Sequence, residues 1–435
     1  MPKLTIVGAG SFVFARRLIT DMLTFDSLKD STITLMDINQ EKLDMMTKLA
    51  KKMVEQEGTK TIIEATTNLE EACIDADYVA TMIRVGDSRD NVAIPRKYGI
   101  SYAIGDTSGI SGAFYFLTNA GAILNVAKTM ERVCPSGLLL NYTNPMTMLS
   151  KMVLDLTDTK YVGLCHSVQG TAQQLAEYLD LPFDEVAYKV AGINHMAWFL
   201  EFKYQGKDAY PLLWKALDDP EVYKRDVVRW EIMKYLGAFV TESSIHTSEY
   251  NAYFRRTPEM IDRYTNENMW GVMPKDWTVE ERLKFFKKMR ADQEEENLEL
   301  ANGDGKIPIE RSHEYFSRIL NAIETNEPYV FNGNVRNNGL ISNLPAPSVV
   351  EVPIMTDANG LNPCFIGELP TALAAYDQNN LNVQELVVEG FKKKDRKYIY
   401  QAAMFDNLVS SQLTLDQIHD MVDELFEAHE EFVDF

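Results

Sequence analysis

Lys3-Leu4-Thr5-Ile6-Val7-Gly8 is a short apolar run that ends in glycine, and Ala9-Gly10-Ser11 leads from it into a helical pattern from Phe12 to Met22. Strand, glycine turn and helix in that order suit a dinucleotide: glycine lets the backbone approach a pyrophosphate, and the new helix offers its unpaired N–H groups. Val13 stands where G-x-G-x-x-G would have its third glycine, so the turn alone is a weak signal. A second strand, Ile33-Thr34-Leu35-Met36, strengthens it by ending in Asp37. A carboxylate there accepts both ribose hydroxyls and repels a 2′-phosphate, which favours NAD over NADP.

Further strands and helices alternate behind this opening. A helix is expected from Gln40 to Glu57, a strand near Thr61 to Glu64, a helix from Asn68 and a strand from Tyr78 to Ile83. Gly8, Gly10, Ser11 and Phe12 at the turn, Asp37, and Ile83 at the end of the fourth strand are the candidate cofactor contacts. Beyond Ile83 the chain runs into a polar loop, where Arg89 is placed to reach substrate hydroxyls. A helix is expected from Gly112 to Arg132, then an apolar strand ending in Asn141-Tyr142-Thr143-Asn144-Pro145, with Asn144 offering an amide to a polyol. The strand Tyr161 to Leu164 delivers Cys165 and His166 to the same sheet edge. This pattern predicts an α/β protein, with a Rossmann-like doubly wound sheet over residues 1–195 and a C-terminal α+β domain over 196–435 for substrate and oligomerisation.

Charge and composition narrow the function. With 43 Lys and Arg against 64 Asp and Glu, the net charge of -21 disfavours nucleic acid and anionic membrane as partners. The longest apolar runs are shorter than the roughly 20 residues of a membrane helix, and the N-terminus reads as a strand, so a cytoplasmic protein is expected. Cys73, Cys134, Cys165 and Cys364 have no paired spacing, which predicts reduced thiols.

Cysteine and histidine are scarce, four and six in 435 residues. Cys165, His166 and His195 nevertheless fall close together. Thiolate and imidazole bind borderline divalent metals, and Cys165 with His195 would leave much of the coordination sphere open to substrate. A nicotinamide site and a metal site on one sheet edge suggest dehydrogenation of an alcohol, but a zinc-site cysteine cluster is missing. Read from its residues alone, the chain is an NAD- and metal-dependent enzyme acting on a polyhydroxylated compound.

The C-terminal half is less distinctive. A long helix is expected around Asp218 to Leu236, followed by a polar loop from Gly237 to Tyr250 that enters a cleft. Thr278 to Asn302 reads as a solvated helix without function, and the Asn- and Gly-rich stretch Asn332 to Gly339 as turns ahead of the strand Val349 to Val352. Arg336 in that stretch is a candidate substrate contact. Leu369 to Phe435 has helical spacing and suits packing or a subunit interface.

Cys165-His166-Ser167-Val168-Gln169-Gly170-Thr171, Gly192-Ile193-Asn194-His195-Met196-Ala197 and Gly8-Ala9-Gly10-Ser11 resemble the NAD-dependent family 4 glycoside hydrolases. So do Leu140-Asn141-Tyr142-Thr143-Asn144-Pro145-Met146, Val240-Thr241-Glu242-Ser243-Ser244 and Gly333-Asn334-Val335-Arg336-Asn337, from end to end of the chain. Within that family the chain looks most like the α-galactosidase branch, because branches acting on 6-phosphoglycosides usually carry Asp where this chain has His166. The family departs from the usual two-carboxylate scheme of glycosidases. The resemblance implies a lactate/malate dehydrogenase-like fold, NAD, Mn2+ or another divalent ion on Cys165 and His195, and a homodimer or homotetramer. It also implies a redox elimination on an α-galactoside: hydride leaves C3 for NAD+, a base takes the C2 proton, the C1–O bond breaks with help from an acid, water adds and the hydride returns. His166 is the acid by position, and Asp106 matches an acidic position that raises the basicity of the base. In phosphoglycosidase relatives the base is a tyrosine near position 240. Ser243 and Ser244 fill that neighbourhood here, leaving His246 and Tyr250 as the candidates. An α-glucosidase or α-galacturonidase of the same family is the nearest alternative, and an NAD- and metal-dependent sugar dehydrogenase the next.

Overall fold

Every strand of the N-terminal half except one presents mainly buried residues, as expected where helices cover both faces of a parallel sheet. The structure is a computed structural model that describes residues 1–86, 89–264 and 279–433. Its strands are β1 (Lys3–Val7), β2 (Thr32–Met36), β3 (Ile62–Thr66), β4 (Tyr78–Thr81), β5 (Leu138–Asn141), β6 (Lys160–Gly163), β7 (Val186–Ile193), β8 (Met196–Tyr204), β9 (Lys207–Asp208), β10 (Tyr329–Arg336), β11 (Val349–Asp357) and β12 (Gly360–Pro363). They form one sheet in the order β3-β2-β1-β4-β5-β6-β10-β11-β7-β8-β9, with β12 on β11. The first six are parallel, and the chain direction of the crossovers reverses between β1 and β4, which opens a crevice at the carboxyl ends of the strands. The remaining strands pair antiparallel. The expected Rossmann-like α/β architecture is present. The expected division at residue 195 falls in the two-residue turn between β7 and β8.

Helix formation follows local chemistry. Gln40–Glu57 is capped by Asn39, whose side chain accepts from the Lys42 amide, and closes on Gly58 in the left-handed region, as predicted for that stretch. The helix Gly109–Val133 is long and apolar enough by composition to cross a bilayer, contrary to the expectation from apolar runs. Some 78% of its apolar window is buried inside the protein, where it packs in the core beneath the C-terminal helices.

Three expectations need correction. The helix predicted over Asp218 to Leu236 is two helices, Pro220–Tyr223 and Val227–Leu236. It breaks at Asp226, whose carboxylate is occupied by Arg229 and Ser244. Asn332 to Arg336 forms most of β10 and is not a run of turns. Its side-chain amides donate to β6 and, across β11, to β7: Asn332 Nδ2 donates to the Val190 carbonyl at 2.9 Å and Asn334 Nδ2 to Gly163 at 3.3 Å, while Asn334 Oδ1 is left without a partner among the described residues. Tertiary partners thus override the turn propensity of asparagine. The charged helix Val279–Asn302 is not simply solvated. It binds the N-terminal half through Lys42–Glu294 at 2.6 Å and Arg16–Glu296 at 3.1 Å.

Gly192 on β7 has no room for a side chain. A Cβ there would lie 2.6 Å from the Met196 carbonyl oxygen and 2.7 Å from the Ala197 Cα, both backbone. Gly192→Ala is therefore expected to displace the β7–β8 hairpin and to destabilise the protein by about 1–3 kcal/mol, read by chemical denaturation.

Candidate active site

The Ile193–Met196 pair leaves Asn194 and His195 as the turn of the β7–β8 hairpin, and His195 takes φ +62 to close it. Glu242, in the segment that bridges to Trp198, takes φ +77. A non-glycine residue in that region costs about 1–3 kcal/mol and persists only where its surroundings impose it. For Glu242 the clamp is visible. Its amide donates to Thr171 Oγ1 at 3.1 Å, and its carbonyl accepts from Arg229 Nη1 at 2.5 Å. Arg229 is buried and held by Asp226, which also accepts from the Ser244 hydroxyl.

These constraints bring the predicted residues together. Cys165 Sγ lies 3.2 Å from His195 Nε2. The His246 ring stands edge-on to His195 at 4.9 Å between centroids. His246 Nδ1 is 3.3 Å from a Glu242 oxygen, and Nε2 is 3.4 Å from Asp106. Burial opposes charge on all three, yet mutual attraction wins: His246 is held well above its ordinary pKa, and Glu242 and Asp106 below theirs. His195 is different. Burial holds it below its ordinary value, and neutral imidazole is the form that binds a metal.

His166, at the start of the helix Ser167–Tyr178, forms a second pair. Its Nε2 is 2.6 Å from Glu314, which also takes Arg17 at 3.0 Å. Its ring stacks on Tyr142 and meets Phe14 edge-on. Burial works against the imidazolium, but the hydrogen bond and charge of Glu314 outweigh it and raise the His166 pKa. Tyr250 is buried one turn beyond His246 with its hydroxyl 3.0 Å from Thr107 Oγ1, and burial pushes that phenol well above its ordinary value.

The glycine turn fits a nucleotide. A Cβ on Gly8 would lie 2.8 Å from the Met82 carbonyl oxygen, and one on Gly10 2.7 Å from the Asp37 carboxylate. Gly10 N–H donates to Asp37 at 2.7 Å. Gly8, Gly10, Ser11, Asp37 and Ile83 line one cleft of about 870 Å³, with Glu294 at its rim. Phe12 begins the first helix, and its side chain lies outside the described residues.

The Cys165–His195 pair fits a cation. Around it lie buried polar atoms without hydrogen-bond partners among the described residues: His195 Nδ1, Asn194 Nδ2, Ser167 Oγ and both oxygens of Glu351. Ligand atoms of His195, Glu242 and His246 also lie within 4.8 Å of one another. Asn144 Oδ1 is likewise buried without a partner. Arg89 begins the helix Arg89–Lys97 and is exposed. Arg336 lies apart from these residues, with Nη2 2.8 Å from Asp155.

Sequence reasoning quoted the segment containing Glu242 but did not select it, and missed Glu314 and Glu351. A lone Glu among valines in Val349-Val350-Glu351-Val352 was a usable signal for a buried charge. Glu314 carried none.

Residues 3–181 match the model described as family 4 glycosyl hydrolase, and residues 190–409 that of the family's C-terminal domain. An alpha-galactosidase of Bacillus subtilis strain 168 is 38% identical over 99% of this chain and 98% of its own length. An alpha-galactosidase of Rhizobium meliloti strain 1021 is 34% identical over 98% of this chain and 88% of its own. The crystal structure of a 6-phospho-alpha-glucosidase from gut microorganisms, in complex with NAD and Mn2+, superposes over 99% of each chain with a TM-score of 0.82 at 17% identity, which establishes a shared fold.

The clamp on Glu242 is open to test. Arg229→Met leaves Asp226 buried without its cation and is expected to cost about 3–5 kcal/mol, measured by chemical denaturation.

Proposed function

Because the chain belongs to glycosyl hydrolase family 4, as its motifs led us to expect, we propose that it is an α-galactosidase requiring NAD+ and a divalent cation such as Mn2+. The observation that carries this reading is the meeting of Cys165 and His195 at 3.2 Å, within a cluster that also holds His246, Glu242 and Asp106. Cys165 and His195 would hold the cation, and the Gly8–Gly10 turn with Asp37 the nucleotide. When bound, NAD+ would supply a reversible hydride acceptor for C3 and the cation would polarise the oxygens at C2 and C3; it is the carbonyl left at C3 that makes the neighbouring C2 proton removable.

The chain's own groups handle the protons. His246 is preferred to Tyr250 as the base at C2, because it stands against the His195 ring whereas the Tyr250 hydroxyl is engaged by Thr107 and its pKa is driven up by burial; Nδ1 of His246 faces Glu242 and Nε2 faces Asp106, so one of these two contacts has to open for the ring to take the proton. Asp106 orients His246 at Nε2, and cationic charge beside His195 works against the proton that Glu242 and Asp106 otherwise keep there. His166 is the acid. Glu314 fixes its Nε2, which leaves Nδ1 to donate to the departing oxygen. Asn144 and Arg89 are proposed to bind sugar hydroxyls. Arg336 is left out, because Asp155 occupies it. A cytoplasmic location and a homodimer or homotetramer complete the proposal. The four free cysteines suit a reducing compartment.

Hydrolysis of nitrophenyl α-galactoside in D2O, followed by NMR of the released sugar, tests the reaction. Deuterium at C2 is expected, and full retention of protium there would overturn the elimination. A panel of nitrophenyl glycosides separates galactosidase from glucosidase and galacturonidase, and accumulation of NADH would instead mark a dehydrogenase.

Glu314→Gln tests the acid. A raised His166 pKa means the proton is present at low pH and lost as pH rises through that value. Removing Glu314 lowers it, so the alkaline limb of kcat/KM is expected to move to lower pH, with activity on an alkyl galactoside reduced about 10- to 100-fold. Nitrophenyl substrates, whose leaving group needs little protonation, are expected to suffer less.

A further inference from the structure

A single row of paired residues crosses the sheet beneath the Cys165–His195 contact. Gly163 on β6 pairs with Asn334 on β10, Asn334 with Glu351 on β11, and Glu351 with Gly192 on β7. Cross-strand partners share a face, so Asn334 and Glu351 point the same way. Cys165 follows β6 and His195 follows β7, strands three spacings or about 14 Å apart. Sulfur and imidazole meet only by leaning over the two strands between them. Those two strands carry Asn334 and Glu351.

Glu351 is an expensive residue in that position. It is 0% exposed, neither carboxylate oxygen has a hydrogen-bond partner among the described residues, and the Asn194 amide nitrogen beside it is unpartnered too. A buried carboxyl without a hydrogen-bond partner costs stability, and the cost rises steeply if it is ionised with no cation beside it. By contrast Glu242 and Asp106 already share the His246 ring.

We propose that Glu351 supplies the second negative charge of the cation site, so that the Cys165 thiolate and the Glu351 carboxylate together neutralise a divalent ion that His195 also binds. A thiolate and a neutral imidazole alone would leave a buried divalent ion with one uncompensated positive charge. Adding Glu351 lets the ion's own ligands match its charge, apart from the Glu242, Asp106 and His246 group that lies beyond His195. The inference rests on Cys165 and His195 being ligands, as proposed above.

The two levels separate in a metal-binding experiment on the full-length protein, using MnCl2 as the probe and calorimetry or electron paramagnetic resonance as the readout. Glu351→Gln is expected to weaken Mn2+ binding about 10- to 100-fold while the metal-free melting temperature stays level or rises, since the carboxyl makes no hydrogen bond that the amide would lose. A merely structural role predicts the opposite pattern, with a lower metal-free melting temperature and unchanged Mn2+ affinity, and that result overturns the proposal. Glu351→Met serves as a second variant. If neither variant folds without metal, the proposal also fails, because it holds that the metal-free fold is better off without the carboxylate. Cys165→Ser is the control for the underlying reading. Loss of Mn2+ binding there with full binding in Glu351→Gln removes only Glu351, whereas full binding in Cys165→Ser removes the ligand assignment itself.

Discussion

The antiparallel attachment of β10 to β6 is the constraint on which the site depends. A parallel six-stranded sheet ends at β6, and in that half alone Cys165 would face solvent at the sheet edge. The Asn334–Gly163 pairing extends the sheet by β10, β11 and the β7–β8 hairpin, so His195 arrives from the far side of the extension. The Asn332 and Asn334 side chains donate to Val190 and Gly163, tying β10 to strands on either side of it. Polar residues inside a sheet are costly unless paired, and here the pairing fixes the register that sets the cysteine against the histidine.

Two imidazoles within this site are put in different states by neighbours rather than by exposure. His246 lies between two carboxylates and keeps a proton, whereas His195, equally buried, has its nearest imidazole contact in His246 and stays neutral. His166 stands outside that group and takes its charge from Glu314. Arg17, on the helix that follows the glycine turn, holds Glu314 from the other side. The nucleotide-binding helix is thus linked to the proposed acid through one carboxylate. A shift of that helix would be felt at His166 through Glu314 as well as through the edge-on contact of Phe14.

Much of the N-terminal half was legible because its signals are local. The helix Gln40–Glu57 has an Asn cap at one end and a glycine at the other, and Asp37 closes an apolar strand. Cys165 and His195 stood out through scarcity and matched motifs. What stayed hidden depends on distant partners. Asn332-Gly333-Asn334 has the composition of a turn and becomes a strand because its backbone pairs with β11, its side-chain N–H groups donate to β7 and β6, and no space is left at Gly333, where a Cβ would meet Ile354 at 2.8 Å. Glu314 reaches His166 across 148 residues of chain, a pairing that no periodicity encodes. The break at Asp226 is set by Arg229 and Ser244, and the helical pattern on either side runs through it undisturbed.

The helix Val279–Asn302 crosses the rim of the nucleotide cleft and is fastened there by Lys42–Glu294 and by Arg16 with Glu296 and Asn297. A helix held there narrows the way into and out of the cleft. An ordinary dehydrogenase needs that way open, since each turnover ends with the spent form leaving and a fresh one entering. A catalyst whose last step restores its nucleotide to the starting oxidation state has no such exchange to perform, and can keep the same molecule through many cycles under a fastened lintel.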